Sequence, residues 1–415
     1  MASSTSALAD LGPEVDVLVV GAGPAGSATA LLLSRLGCRV TAVDRAAFPR
    51  DKPCSEYMSP EVVRLLEQLG VLQTLESLGA VPLHGTAVTA PRGARLHGKF
   101  ALAGYRPFRP TGLSVSRRIL DNVLLEAARA ADVEVMERTT VEELLYHRGG
   151  IAGALVRDQD GRRYGIRARL TVGADGLRSV VARRMGKRVH GHPRRVAFVA
   201  HMDGVEGMGD SAELHVSGRG YVGLNPIGGN RTNVALVVPA ARALDARGRA
   251  EGFFREALQE FPEVFARLER GSISRSVLVT GPFAAWSGRI VADGGALVGD
   301  AADFFDPFTG EGIYSALRGA ELLAAVAGSA LAHGEGPVAS ASLAGYRRAR
   351  WRTFAGKWLV ERLIGYAMWS PRLFDRAVDR LGRRGHMAHT LIGVTGDFVP
   401  AREVLNPLFL ARMVL

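Results

Sequence analysis

The feature that most constrains this chain is a strand, a glycine-rich turn, a helix and a second strand in the order that binds a dinucleotide. Val17–Val20 is a continuous apolar run, typical of a strand buried on both faces of a parallel sheet. A G-x-G-x-x-G turn and an Ala/Leu-rich helix follow, and Arg39–Val43 forms the next strand. The three glycines are Gly21, Gly23 and Gly26. Asp44 ends the second strand, near the offset of about 20 residues typical of an acid that binds a ribose hydroxyl.

The same glycine spacing occurs a second time and serves as an internal comparison. In a nucleotide turn, the glycines permit a tight bend, close approach of a pyrophosphate and close packing of the helix. The helix N-terminus then directs its N–H groups at the phosphates. GRGYVG at 218–223 has the spacing, but LNPIGG follows it in place of a helix. We therefore expect no second nucleotide site there.

Two further strand-to-helix turns carry glycine and acid. GADG at 173–176 follows a short apolar strand, and Ala296–Val298 is a strand followed by Gly299 and Asp300. Pro307, Gly310 and Gly312 then precede a long Ala/Leu helix. An acid at a strand's carboxyl end can bind polyol hydroxyls, and a helix N-terminus stabilises negative charge on a bound ring.

In this order the three motifs resemble the FAD signatures of the p-hydroxybenzoate hydroxylase-like superfamily of flavoproteins. FPRDKPCSEYMSP at 48–60 and DPFTGEGI at 306–313 are most similar to the geranylgeranyl reductase branch and related bacterial flavin monooxygenases. The resemblance covers about residues 15–335. It implies an α/β fold in which a Rossmann-type FAD-binding domain is interleaved with an α+β substrate domain built on an antiparallel sheet, followed by C-terminal helices.

The domain boundaries follow from the motifs and from period-two alternation in 81–113 and 196–238, which favours antiparallel strands. We expect a flexible leader at 1–14. The FAD-binding domain would comprise 15–80, 114–185 and 286–335, the substrate-binding domain 81–113 and 186–285, and a helical cap 336–415.

The resemblance also implies which residues contact FAD. They are Gly21, Gly23, Ala25, Gly26, Asp44, Arg45, Arg117, Asp175, Asp300, Pro307, Gly310, Gly312 and Ile313. The first glycines would hold the pyrophosphate, Asp44 the adenosine ribose and Asp300 the ribityl chain. Arg117, four residues before Asp121 in VSRRILDNVL, would reach the FAD. Asp175 would hold its loop near the pyrophosphate, and the backbone of Gly312 and Ile313 would face the flavin ring.

The candidate catalytic residues lie in CSEY at 54–57, where the resembling reductases read CGGG or CGG. Glu56 is a candidate acid/base, and Tyr57 a hydrogen-bond donor or stacking wall. Alternatively, Glu56 pairs with a nearby arginine (Arg45, Arg50 or Arg117) and only orders the loop. Cys54 is expected as a packed thiol facing the substrate.

Tyr221 and Asn225 are the other candidate substrate contacts. They lie in YVGLNP, which occupies the place of the reductases' Y-x-W-x-F-P motif. Gly223 replaces the tryptophan there, and this change either opens room for a bulkier or more functionalised substrate or is a neutral variation within the family. The chain contains no W-x-W-x-I-P motif, so we do not expect a flavin halogenase.

Composition excludes several classes of function. The formal charge is +11, but only four of the 52 cations are lysines, and residues 341–415 hold thirteen cations against five anions. The excess therefore belongs to one segment and does not indicate nucleic-acid binding. Two cysteines form no disulfide framework, no metal site is expected, and the N-terminus resembles no signal peptide. We expect a cytoplasmic protein.

The C-terminal segment is predicted to form two helices broken at Ser370–Pro371. Trp351, Trp358 and Trp369, with neighbouring leucines and Phe354, would form one broad apolar face beside many arginines. Packing on the substrate domain, or a lid over it, is favoured over contact with an anionic membrane. A loop with a short helix would end the chain.

The predicted function is an FAD-dependent monooxygenase that hydroxylates or epoxidises a hydrophobic small molecule in specialised-metabolite biosynthesis. NAD(P)H or a reductase partner would supply electrons. One alternative is a geranylgeranyl reductase-like ene-reductase that reduces C=C bonds, and another is a redox-neutral cyclase with structural FAD. The protein would mainly position the substrate and exclude water.

Overall fold

The computed structural model describes residues 11–186 and 188–414. The strands are β1 Leu11–Val20, β2 Val40–Val43, β3 Tyr57–Met58, β4 Val81–Leu83, β5 Gly85–Thr89, β6 Arg95–Lys99, β7 Gly112–Ser114, β8 Glu134–Met136, β9 Thr140–His147, β10 Gly150–Arg157, β11 Arg163–Gly173, β12 Arg188–His190, β13 Arg195–Asp203, β14 Ser211–Ser217, β15 Gly220–Pro226, β16 Arg231–Pro239, β17 Ser272–Thr280, β18 Ala285–Ser287, β19 Val291–Ala292, β20 Gly295–Leu297 and β21 Asp303–Phe304. The helices are α1 Pro24–Arg35, α2 Pro60–Leu69, α3 Leu72–Ser77, α4 Arg117–Arg129, α5 Val180–Met185, α6 Ala250–Leu258, α7 Pro262–Leu268, α8 Gly312–Ala332, α9 Ala344–Ala367, α10 Pro371–Arg383, α11 Gly385–Thr395, α12 Arg402–Leu405 and α13 Pro407–Val414.

A parallel sheet brings the three glycine motifs to one edge. Its strand order is β20-β11-β1-β2-β8, and every neighbouring pair in that series is parallel. Val20 of β1 pairs with Gly173 of β11 and Val43 of β2, and Gly173 pairs with Leu297 of β20. Because these strands end at the same level, the turns that follow them lie side by side, where ligands bind in open α/β sheets.

Both faces of this sheet are covered, which explains its continuous apolar strands. Helices α1, α2, α4 and α8 contribute to the larger core, and α5 with the β9–β10 hairpin to the core on the other side. Helix α8 is the one helix of the described residues with the length and hydropathy of a membrane span. It packs against α1 in the larger core.

A seven-stranded sheet of order β17-β13-β16-β15-β14-β5-β6 forms the second unit. Its neighbours are antiparallel except β14 and β5. One face packs under α6 and α7, and the other faces the parallel-sheet unit. The second G-x-G-x-x-G lies at the start of β15 in this sheet, not at a strand-to-helix turn. The predicted α/β class, antiparallel substrate sheet and C-terminal helices are confirmed.

The C-terminal helices close the edge of the second sheet. Helices α10 and α11 pack on edge strand β6, so its open hydrogen-bonding edge is covered. The helix break at Ser370–Pro371 is confirmed, since α9 ends at Ala367 and α10 begins at Pro371. The predicted single apolar face is wrong, because Phe354 is buried whereas Trp351 is 65% and Trp369 62% exposed. Two short helices, α12 and α13, replace the single one expected near the C-terminus.

The predicted leader is only partly described. Residues 1–10 lie outside the described residues, whereas 11–14 belong to β1 and pair with β11. This strand therefore begins before the apolar run that identified it in the sequence.

Candidate flavin and substrate site

A cavity of about 1190 Å³ lies between the carboxyl edge of the parallel sheet and the inner face of the antiparallel sheet. One half is polar and built from the glycine motifs, Lys52, Arg117 and Asp300. The other half is lined by apolar side chains of the second sheet. A pocket of about 410 Å³ shares Leu214 and Gly223 with it and extends it along the sheet.

The N-terminus of α1 opens into the polar half. Gly23 caps this helix without a side-chain hydrogen bond, and Gly23, Pro24 and Ala25 line the cavity. Free N–H groups of the first turn therefore face a site for an anion. Gly21 has a φ of +97°, and a Cβ at Gly26 would overlap the Gly21 carbonyl oxygen. Only glycine fits either position, which is the packing role of the first and third motif glycines.

Asp44 organises the same turn from the end of β2. Its Oδ2 accepts from the Ala22 N–H and its Oδ1 from the Ala46 N–H, each at 2.8 Å. The Arg50 guanidinium lies 4.0 Å from the carboxylate. Arg45, by contrast, is exposed and does not line the cavity. The structure therefore places Arg50, not Arg45, beside Asp44 and the α1 turn.

A buried basic cluster faces the α1 turn. Arg117 donates from Nε and Nη2 to the two carboxylate oxygens of Asp121, at 2.6 and 2.7 Å, and Arg50 adds a contact of 3.1 Å to Asp121. Burial acts to lower the pKa of Arg117, but Asp121 and Cys54 together outweigh burial and raise that pKa. Burial, then the charge of Arg117, lowers the pKa of Lys52, while Asp300 acts to raise it.

The two remaining acids of the motifs differ in role. Asp300 lines the cavity, and burial raises the pKa of its carboxyl while Lys52 and Arg117 act to lower it. Asp175 does not line the cavity, because its Oδ2 accepts from the Val180 N–H at 2.6 Å and caps α5. Asp175 thus fixes the loop and does not face the cavity, so its role beside FAD stays a prediction.

The turn before α8 is fixed from the second sheet. Asp306 accepts from the Arg195 Nη1 at 2.6 Å, the Tyr221 hydroxyl at 2.7 Å and the Phe308 N–H at 3.0 Å. Gly310 has a φ of +74°, and the Tyr57 ring packs directly on it. Pro307, Gly310, Gly312 and Ile313 line the cavity. The turn is therefore held in place by contacts from both sheets.

Charged side chains lie behind this turn, between α8 and α9. Lys357 Nζ is 3.7 Å from Glu311 Oε1 and also pairs with Asp397. Thr309 Oγ1 donates to Glu361 Oε1 at 3.3 Å. Burial, then the charge of Glu311, raises the pKa of Glu361 well above its ordinary value.

These features fit FAD. The uncapped α1 terminus with Arg50, Lys52 and Arg117 suits the pyrophosphate, and the Asp300 carboxylate suits ribityl hydroxyls. The glycines of the 310–312 turn leave its backbone accessible to a flat ring. When bound, FAD would supply electrons to a substrate held in this cavity.

The loop of Cys54 to Tyr57 differs most from the sequence interpretation. Glu56 is fully buried with a φ of +60°. Its Oε1 accepts from the Arg117 backbone N–H at 2.8 Å, and its Oε2 contacts His201 Nε2 at 2.8 Å and accepts from Asn233 Nδ2 at 2.9 Å. It lines neither the main cavity nor the adjoining pocket. Its pairing is not with an arginine side chain but with His201, Asn233 and a backbone N–H.

Two asparagines anchor this loop from the second sheet. Asn225 Nδ2 donates to the Ser55 carbonyl at 3.0 Å and to Ser114 Oγ at 2.7 Å. Asn233, opposite Asn225 in the strand register, donates to the Cys54 carbonyl at 2.8 Å. Asn225 lines the adjoining pocket, not the main cavity, and its buried Oδ1 has no partner among the described residues.

The predicted substrate residues divide between the two spaces. Cys54 and Tyr221 line the main cavity, whereas Tyr57 and Asn225 line the adjoining pocket. Burial, then the charge of Asp306, raises the pKa of Tyr221, so its hydroxyl stays protonated and donates to Asp306. The apolar wall residues are Leu177, Ala197, Val199, Leu214, Ala235, Val237, Phe283 and Phe304.

Sequence reasoning missed Lys52, His201 and Asn233. Lys52 lies in the FPRDKPCSEYMSP motif at 48–60, but the motif by itself indicates no function for this lysine. His201 and Asn233 share the inward face of their strands with apolar residues, because side chains alternate along a strand. His201, Asn233 and Asn225 pair across the adjacent strands β13, β16 and β15. Polar residues at matching positions of three predicted strands were the signal that could have identified the residues that hold the 54–57 loop.

Most of this chain is similar to a known family of flavin-binding proteins. The model of the FAD binding domain family matches residues 14–352. The chain belongs to the FAD binding domain family. It is therefore an FAD-dependent oxidoreductase, as the motifs predict.

Two curated relatives are reductases. The digeranylgeranylglycerophospholipid reductase 1 of Methanococcoides burtonii is 28% identical over 361 residues, covering 85% of this chain and 83% of the relative. The menaquinone reductase of Mycolicibacterium smegmatis is 30% identical over 332 residues, covering 74% of this chain and 75% of the relative. The predicted relation to the geranylgeranyl reductase branch is confirmed at this level.

Solved structures of proteins with different described activities share this fold. The myxobacterial chondrochloren halogenase aligns with a TM-score of 0.79 and 21% identity, covering 94% of this chain and all of that one. A geranylgeranyl bacteriochlorophyll reductase-like protein of Thermoplasma acidophilum aligns with a TM-score of 0.77 and 21% identity, covering 96% and 98%. At these identities the likeness establishes the fold alone.

Proposed function

We propose that this FAD-dependent oxidoreductase is a monooxygenase that hydroxylates or epoxidises an apolar small molecule of specialised metabolism. The observation that carries the proposal is the chemistry of the substrate half of the cavity. Its wall is apolar, and the acid in CSEY is turned away and engaged by three donors. This apolar wall can position a substrate, and no carboxylic acid is among the described residues that line the apolar half of the main cavity.

The supply of protons beside the substrate distinguishes two reactions. Glu213 lines the adjoining pocket, but although burial acts to raise its pKa, contacts with His215 and Arg267 lower it to about 2, so its carboxylate is ionised. Reducing an isolated C=C bond requires a proton at one carbon as well as a hydride at the other. The ionisable groups of this half are the Tyr221 hydroxyl, which already donates to Asp306, and the Cys54 thiol. Transfer of an oxygen atom from O₂ needs no proton donor at the substrate carbon, so the described wall favours oxygenation.

An ene-reductase is the second candidate, because both curated relatives above are reductases. In that reaction Cys54 would supply the proton, since it is the cavity-lining acid whose hydrogen is not committed to Asp306. A hydrophobic substrate is common to both candidates. We also propose NAD(P)H or a separate reductase as electron donor, and a cytoplasmic location stays a prediction from the sequence.

Oxygen labelling separates the candidates. FAD-loaded protein is incubated with either a long-chain alkylphenol or geranylgeraniol, with NADPH under ¹⁸O₂ and with NADPH or dithionite anaerobically. Monooxygenation predicts ¹⁸O in the product and no turnover without O₂. Anaerobic loss of a C=C bond would contradict it and support the reductase, with Cys54→Ala then abolishing reduction while retaining FAD. Conversion without any reductant would indicate the redox-neutral cyclase.

A further inference from the structure

A second cleft lies on the opposite side of Phe304 from the substrate space. It has a volume of about 750 Å³ and is formed by strands β18 and β21 and helix α9. Its lining residues are Ala285, Trp286, Ser287, Ile290, Asp303, Phe304, Phe305, Arg347, Arg350, Trp351, Trp358 and Arg362. Phe304 lines both spaces and packs on Phe283 at a ring distance of 5.3 Å. The cleft is therefore separate from the flavin site, with one aromatic side chain between them.

The described lining residues of this cleft carry more positive than negative formal charge. Three arginines line it against one acid, Asp303, which is a formal excess of two positive charges. Asp303 is already engaged by Arg350 Nη2 at 2.5 Å and by Trp358 Nε1 at 3.2 Å. Among the described residues, no carboxylate lies within ion-pair distance of Arg347 or Arg362.

Arg350 provides an independent indication of a missing partner. Its side chain is 1% exposed, yet its Nε and Nη1 have no hydrogen-bond partner in the described part of the chain. A buried guanidinium with unused donors is costly, because each donor has lost its water without gaining an acceptor. Arg350 lines the cleft, so an anion bound there would place a second negative charge beside this guanidinium.

The aromatic side chains indicate the shape of the ligand. The Arg362 guanidinium lies 5.8 Å from the Trp286 ring and 6.0 Å from the Phe305 ring. Such stacking orients the guanidinium but uses none of its N–H groups. Trp351 at the rim and Trp358 inside add flat surfaces on which a ring can stack.

We propose that this cleft binds an aromatic anion, a flat ring carrying a phosphate or carboxylate, independently of the reaction at the flavin. Two sources share this chemistry. One is the adenosine phosphate end of a nicotinamide dinucleotide, which would dock an electron donor next to the flavin space. The other is an aromatic acid that acts as a substrate or an effector.

Intrinsic tryptophan fluorescence reports on this cleft, because Trp286, Trp351 and Trp358 line it and Trp369 is the only other tryptophan. FAD-loaded protein is titrated separately with NADP⁺, with benzoate and with benzyl alcohol, the neutral counterpart of benzoate. We expect saturable quenching by at least one anion. Quenching by NADP⁺ but not by benzoate would identify the ligand as a dinucleotide. Quenching by benzoate would identify it as an aromatic acid. Quenching by neither, or benzyl alcohol binding as well as benzoate, would overturn the proposal.

Matched double variants on α9 test the location. Arg347→Gln/Arg362→Gln removes two cleft arginines that have no carboxylate partner, and we expect affinity to fall about tenfold or more. Arg348→Gln/Arg352→Gln removes the same charge from exposed positions outside the cleft, and affinity should stay within about threefold. Equal effects of the two pairs would show attraction by net charge only and would refute a built site.

Discussion

Replacing Glu56 by alanine tests how the loop beside the flavin is held. The change removes an acceptor shared by the Arg117 N–H, His201 Nε2 and Asn233 Nδ2. Asn233 retains the Cys54 carbonyl at 2.8 Å, so two buried groups lose their partner. At about 1–3 kcal/mol for each, Glu56→Ala should lower the free energy of unfolding by about 2–6 kcal/mol.

Glycine at the same position provides a matched control. Glu56 has a φ of +60°, a left-handed conformation that costs a side-chain-bearing residue about 1–2 kcal/mol. Glu56→Gly loses the same acceptor as Glu56→Ala but not that strain, so the glycine variant should be more stable by about 1 kcal/mol. Urea unfolding followed by tryptophan fluorescence measures both. An alanine variant as stable as the wild type, or a glycine variant no better than alanine, would refute this account.

Glutamine then separates positioning from acid/base catalysis. Glu56→Gln keeps the shape and can still accept from the Arg117 N–H. If Glu56 only positions the loop, the FAD-loaded variant should retain turnover within about tenfold, with any loss accompanied by lower stability or FAD affinity. A fall of about 10²–10⁴ in kcat with unchanged unfolding and FAD affinity would instead show the acid/base role first suggested by the sequence.

Three further changes test other parts of the site. Gly23→Val should yield folded protein with little FAD, measured by flavin absorbance, because its side chain would project toward Arg50 at the pyrophosphate position; full occupancy would contradict that placement. Gly223→Trp should close the passage to the adjoining pocket and raise KM for the alkylphenol probe, while FAD binding, measured by fluorescence titration, stays unchanged. Burial and Glu311 raise the pKa of Glu361, and a carboxyl with a raised folded-state pKa lowers stability as pH rises above the ordinary pKa of a glutamate. Glu361→Gln should flatten that part of the unfolding free energy against pH, and an unchanged slope would exclude Glu361 as its source.

The glycine-rich turns at the ends of the parallel strands were predictable because their elements are local. Gly21, Gly26 and Gly310 are required by backbone geometry within a few residues, and Asp300 follows directly from the end of a strand. Parallel strands that end in register then bring these turns together without further information. Arg45 was misplaced for the same reason, since adjacency to Asp44 does not determine which way a side chain leaves a strand end.

By itself, the sequence determined the glycine-rich turns, the parallel and antiparallel sheets and the break between the last long helices. These features depend on the spacing of glycines, on the alternation of apolar and polar residues and on backbone conformation, all of which are set by residues close together in the sequence. Only the tertiary structure decided that Glu56 faces inward, because its partner His201 lies 145 positions away. The same holds for the aromatic and arginine cleft, where α9 meets β18 and β21. Side-chain direction and charge balance there depend on which distant elements pack together, and no local pattern specifies them.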